Sequence, residues 1–227
     1  MRIQLQTLGR TLLRAVRRRT AAEDGFTLVE LVMTTAILGV ITATLAGVVL
    51  SYLRTTVDTQ ARMTESHDVQ FAAAYWQRDV ASIGVRSSTY DSTTHSFALE
   101  QSVGVAPCGL PAGTTAVVTL AWSEYSSLVS TDTPATVKVT YAARPTGTGH
   151  ELLRVRCGSQ PSTVQIADNL SAVPTVACEN AAGAAIPCTG SGDDVPAVVR
   201  LALSVDDGAD HDAASYAATL SGERRQS

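Results

Sequence analysis

Lysine occurs once in the 227 residues, at Lys138, aromatic residues make up only 5%, and the net charge is −4. A dedicated nucleic-acid binder needs a basic face, so this composition argues against one. Signatures of catalysis are missing too. There is no Gly-x-Ser-x-Gly, no glycine loop that would cradle a phosphate and no His-Glu-x-x-His, and His67, His95, His150 and His211 are scattered. No enzyme activity and no cofactor are expected. Cys-x-x-Cys is absent and no histidine stands at ligand spacing from a cysteine, so no zinc site is expected. No internal repeat is visible. The chain does have 45% hydrophobic residues. That is too apolar for a disordered chain, and the length suits one domain of about 150 residues plus an appendage.

Charge is placed unevenly. Residues 1–25 carry Arg2, Arg10, Arg14, Arg17, Arg18 and Arg19 against Glu23 and Asp24, whereas the remainder is acidic. Between the two lies Phe26 to Leu53, whose one ionisable side chain is Glu30. About 20 helical residues cross a bilayer core, so this run crosses with length to spare. Gly39 and Gly47 are tolerated in such a helix, where neighbours pack closely. A buried helix of a soluble protein is a poorer reading, because the run is long and has arginines on its upstream flank. A cleaved secretory signal would have a shorter apolar region and a small-residue cleavage site. Here the run passes directly into an amphipathic pattern.

A carboxylate inside an apolar segment costs several kcal/mol unless it is paired, which makes Glu30 the anomaly of the run. Only a position at the membrane interface would let it reach water. The residues before it are Gly25-Phe26-Thr27-Leu28-Val29-Glu30, preceded by the basic stretch. This segment resembles the processing site of type IV prepilins and type II secretion pseudopilins. The resemblance implies that a membrane-embedded prepilin peptidase cuts after Gly25 and that the new first residue, Phe26, is N-methylated. It makes Glu30 the fifth residue of the mature chain. It further implies that the Glu30 carboxylate pairs with the Phe26 amine of a neighbouring subunit during assembly. Two charges too costly to bury alone become tolerable as a pair. The 25-residue leader is long for the family, and Gly47 stands where major pilins often carry a kinking proline.

From Arg54 to about Arg86 the pattern becomes amphipathic. Phe71, Ala72, Tyr75, Trp76, Val80 and Ile83 fall on one helical face, with Arg62, Glu65, Gln77, Arg78 and Asp79 mostly elsewhere. Gly84 and Ser87-Ser88 end the helix. Beyond them, strands are predicted at Ser96–Val103, Ala116–Trp122, Thr136–Tyr141, Glu151–Arg156, Thr163–Ala167, Ala197–Val205 and Ser215–Leu220. Period-two alternation of Val137, Val139 and Tyr141, and of Val199, Leu201, Leu203 and Val205, predicts an antiparallel sheet with one wet face. The expected fold class is α+β, a long N-terminal helix packed against an antiparallel β-sheet head. The expected divisions are a basic leader at 1–25, a transmembrane and assembly helix at 26–53, an amphipathic helix at 54–86 and a β-rich head at 87–227. Trp76-Gln77-Arg78-Asp79-Val80 with Gly84, and Glu151-Leu152-Leu153-Arg154-Val155, resemble segments of J-type pseudopilins and W-type minor pilins.

Cys108, Cys157, Cys178 and Cys188 all fall in the expected extracytoplasmic head. An even count in an oxidising compartment reads as two disulfides, with three pairings possible. Cys178–Cys188 would close a short loop rich in Ala, Gly and Pro, and Cys108–Cys157 would then join two strand-edge segments. Asp206, Asp207, Asp210 and Asp212 invite a calcium reading. The twelfth position of that loop is Ala217 rather than Glu, however, and an Asp/Gly hairpin turn explains it better.

The resemblance implies a minor pilin or pseudopilin, a structural subunit assembled through its N-terminal helix into, or at the tip of, a pilus-like or type II secretion filament. Its partners would be a prepilin peptidase, other pilins, the assembly platform and the membrane, with no nucleic acid. The leader would be cytoplasmic and the head extracytoplasmic. The alternative is a membrane-tethered adhesin or DNA-uptake receptor acting through its head.

Overall fold

The protein is described by a computed structural model covering residues 25–125, 134–205 and 216–225. The leader 1–24 and the aspartates of the candidate calcium loop lie outside the described residues, as does Ser215. The chain divides into two compact units, Met1–Thr55 and Thr56–Ser227.

One helix, α1, runs over Leu28–Ser82. In the first unit its large apolar side chains are all exposed, from 49% at Ile41 to 79% at Leu28. The run also carries threonines, which would be costly in an apolar solvent if their hydroxyls had no partners. Those of Thr34, Thr35, Thr42 and Thr44 instead donate to carbonyls three or four residues back, at 2.8–3.1 Å.

In the second unit α1 buries a stripe made of Val69, Ala72, Trp76 and Val80, which Ile83 continues just past the helix end. The steps of three and four follow the helical repeat. Two residues differ from the expected pattern. Phe71 is 40% exposed, one position off the stripe, and stacks edge-on with Tyr75 at 5.1 Å. Asp79, expected on the polar face, is 1% exposed. It stands three residues after Trp76, which turns it toward the sheet.

Among the described residues ten strands follow: β1 (Val85–Asp91), β2 (Ser96–Glu100), β3 (Thr115–Glu124), β4 (Ala135–Pro145), β5 (His150–Cys157), β6 (Ser162–Leu170), β7 (Thr175–Glu179), β8 (Ala185–Ile186), β9 (Val198–Val205) and β10 (Tyr216–Glu223). β1 and β2 form a separate antiparallel hairpin. The main sheet has the order β3-β4-β5-β6-β9-β7-β8, with β10 paired to β9. All of its ladders are antiparallel. The α+β class is therefore as expected.

The first predicted strand stops at Glu100, because Val103 instead bridges Leu120 of β3. β1 falls where Ser87-Ser88 had been read as a breaker, and β7 and β8 were not foreseen. Val139, Tyr141, Leu152, Ile166, Leu170, Val199 and Leu201 pack with the α1 stripe in one core. The single wet face is only partly realised. Leu153 and Val155 on the opposite face of β5 are covered by Cys108 and Leu110 in a second small core. This burial explains why β4 has no exposed side chain between Val137 and Ala143.

Candidate functional site

At the N-terminus, the sequence predicts processing residues beside a helix start. The Thr27 carbonyl accepts from Leu31 N–H at 3.1 Å, and Thr27 Oγ1 accepts from Glu30 N–H at 3.3 Å. Thr27 thus caps α1 and Glu30 occupies its third position. That is the spacing of a capping box, where a carboxylate also meets the positive end of the helix dipole. Glu30 has this local role besides the one implied by the resemblance. Among the described residues, no cation lies within ion-pair distance of its carboxylate. Phe26 is 76% exposed, and a Cβ built on Gly25 would meet nothing within 4 Å. Gly25, Phe26, Thr27 and Glu30 are therefore adjacent and open at the head of the apolar helix, which is long and apolar enough to cross a membrane.

Within the second unit, the two segments resembling those of minor subunits meet. Arg154 Nε and Nη2 donate to Asp79 Oδ2 and Oδ1 at 2.6 and 2.8 Å, and Tyr141 Oη donates to Oδ2 at 2.7 Å. Arg154 also sits 5.1 Å above the centre of the Tyr75 ring. Burial, and then the Asp79 charge beside it, push the Tyr141 phenol well above its usual range, so it stays a neutral donor. Trp76 Nε1 donates to the Val199 carbonyl at 3.2 Å, and its ring meets Tyr141 edge-on at 4.9 Å. Asp79, Arg154, Tyr141 and Trp76 thus each have a partner in this core. The arrangement fixes the helix on the sheet; it presents no nucleophile paired with a base. Sequence reasoning named Asp79 and Arg154 but missed their pairing. An acid on an otherwise apolar stripe was the available signal.

The cysteines pair as Cys108–Cys157 and Cys178–Cys188, with Cα–Cα distances of 6.0 and 5.2 Å. The first ties the segment after β2 to the end of β5, and Cys108 N–H donates to Thr140 Oγ1 at 3.0 Å. The second joins β7 to the loop after β8. Among the described residues no group of three His, Cys, Asp or Glu side chains could hold a metal ion.

Two grooves meet on the solvent face of α1. One, of about 560 Å³, runs along Ser221–Arg225 beside Gln77 and Ala81. The other, of about 410 Å³, adds Ala74 and Arg78. Arg224 is half-buried there and donates to the Pro196 carbonyl; its burial, and then the charge of Arg86, lower its pKa. Neither groove was foreseen, because it forms only where the C-terminal segment lies along α1. No family model matches this chain, and no curated protein matches it.

Proposed function

We propose that this protein is a processed, membrane-anchored filament subunit of the type IV pilin and pseudopilin class, of the low-abundance kind that acts at a filament tip or in its priming. The observation that carries the reading is Gly25-Phe26-Thr27-Leu28-Val29-Glu30 at the mouth of an apolar helical run, Leu28 to Leu53, in which every described side chain is exposed. A peptidase needs its cleavage site accessible, and a packing helix needs an apolar surface with no partner in its own chain. Among the described residues both conditions hold from Gly25 to Leu53. The minor-subunit assignment draws support from the buried Asp79–Arg154 pair, which links the two segments carrying that resemblance. Two disulfides fit an extracytoplasmic head.

Co-expression with a prepilin peptidase tests the reading. Mass spectrometry should find a mature N-terminus at Phe26, carrying one methyl group. Gly25→Ala should slow cleavage, and Gly25→Leu should block it, because the backbone must approach the peptidase closely. An intact leader, or a cut beyond Leu53, would remove the assignment.

A further inference from the structure

We propose that the outer edge of β10, together with the arginines at its end, is a docking site for an extended acidic segment of another protein, added as an antiparallel strand. The inference does not depend on the N-terminal reading. β10 pairs with β9 along Tyr216–Glu223, and among the described residues no second strand pairs with it. The Ser204 carbonyl accepts from Ser171 N–H at 2.9 Å, so Ser204 faces away from β10. Antiparallel alternation then directs the N–H and C=O groups of Ala217, Thr219 and Ser221 away from β9. These groups form a template for a further strand.

Protein edges that must stay unpaired are usually blunted by charge, proline or a bulge. Residues 216–222, Tyr-Ala-Ala-Thr-Leu-Ser-Gly, contain neither charge nor proline, and their register with β9 is unbroken. A groove opens beside Ser221–Arg225 at the end of this edge, walled on the α1 side by Ala74, Gln77, Arg78, Ala81 and Ser82.

Charge selects the occupant. Arg78 and Arg225 are exposed in the joined grooves and Arg224 lies between, against the one carboxylate of Glu223, while the chain as a whole is acidic. An antiparallel strand entering there would bring its N-terminal end to the arginines, so that end should carry the carboxylates. A second copy would carry Asp206, Asp207, Asp210 and Asp212 just ahead of its own β10, and a concentration-dependent dimer would mark that occupant instead.

The test uses the full chain in detergent micelles and a labelled peptide, acetyl-Glu-Val-Glu-Val-Thr-Val-Thr-Val, followed by fluorescence anisotropy. Binding is expected in the micromolar range, and the same peptide with Lys for Glu should bind at least about tenfold more weakly. Thr219→Pro removes an outward-facing N–H without removing a β9 ladder bond, and should weaken binding by about tenfold or more. Hydrogen exchange of residues 216–223 in the unmodified protein should slow on adding peptide, with that of β3 unchanged. That measurement decides the matter if the proline variant does not fold. Three results would overturn the proposal: no binding at about 1 mM peptide, binding with unchanged exchange at 216–223, or a concentration-dependent dimer abolished by Thr219→Pro.

Discussion

Residues 28–53 and residues 69–82 belong to one helix, yet their surroundings differ. The first stretch is apolar on every side and buries nothing. The second is apolar on one stripe and buries all of it under a sheet. The contrast is sharpest at their carboxylates. Glu30 stands exposed in the first turn of a helix capped by Thr27, with no cation beside it among the described residues. Asp79 is enclosed, with Arg154 and Tyr141 satisfying both of its oxygens. An acid whose partners lie in its own chain belongs to the fold. An acid on an apolar surface without such partners is available to something outside the chain. Asp79 is a folding residue, and the proposed function makes Glu30 an assembly residue.

The largest expected effect comes from breaking the enclosed pair. Arg154→Ala leaves the Asp79 charge buried without its counter-charge, and losing one partner of such a pair costs about 3–5 kcal/mol. Denaturant unfolding of the variant should show most of the stability of the second unit gone. Asp79→Leu combined with Arg154→Met should recover much of it, since an apolar replacement of both partners leaves no orphaned charge. If Arg154→Ala unfolds like the parent protein, Asp79 is not the residue that fixes α1 on the sheet.

Reduction comes next. Each disulfide closes a loop in the unfolded chain, and removing a native one typically costs about 2–5 kcal/mol. Dithiothreitol should lower the thermal midpoint, and thiol titration of the native, unreduced protein should find none. The smallest of the three effects is at Gly222, where an added Cβ would stand 2.5 Å from Val80 Cβ. Gly222→Ala should cost about 1–3 kcal/mol through overpacking between β10 and α1. A variant as stable as the parent would show that this contact yields.

Much of this architecture could be read from residues alone. Val199 to Val205 alternates cleanly because one face of β9 meets the core, and the strand is found where the alternation stands. α1 ends at Ser82, two residues before the glycine read as its stop. What escaped reading has identifiable causes. β1 pairs only with β2 in a hairpin and is mostly exposed, so Ser87, Ser88 and Thr89 carry no apolar rhythm. β7 is short and looked like part of a cysteine loop, because its pairing with β9 is set by residues about 20 positions away. Asp79 looked like surface because charge usually marks the wet face. Its place three residues after Trp76 was the one local signal, and its partner Arg154 stands 75 residues later, where periodicity within the helix cannot show it. Phe71 looked like core because it is aromatic, although it stands one position off the stripe. The apolar run and Glu30 were legible, since a long stretch with one charge needs no tertiary context to stand out.

The contrast between the two carboxylates is tested most directly at Glu30. Glu30→Gln and Glu30→Leu should each be cleaved after Gly25 and stay in the membrane, and the thermal midpoint of the second unit should not move. Both should fail to co-purify with partner subunits. An ammonium left without its counter-charge costs about 3–5 kcal/mol, a loss on the order of a few hundred-fold or more in association. Quantitative co-purification after co-expression with candidate pilin partners, scored beside N-terminal mass spectrometry, gives the answer. Normal cleavage with lost co-purification is the predicted result. Normal co-purification of both variants would contradict it, and Glu30 would then be no more than the third residue of a capped helix.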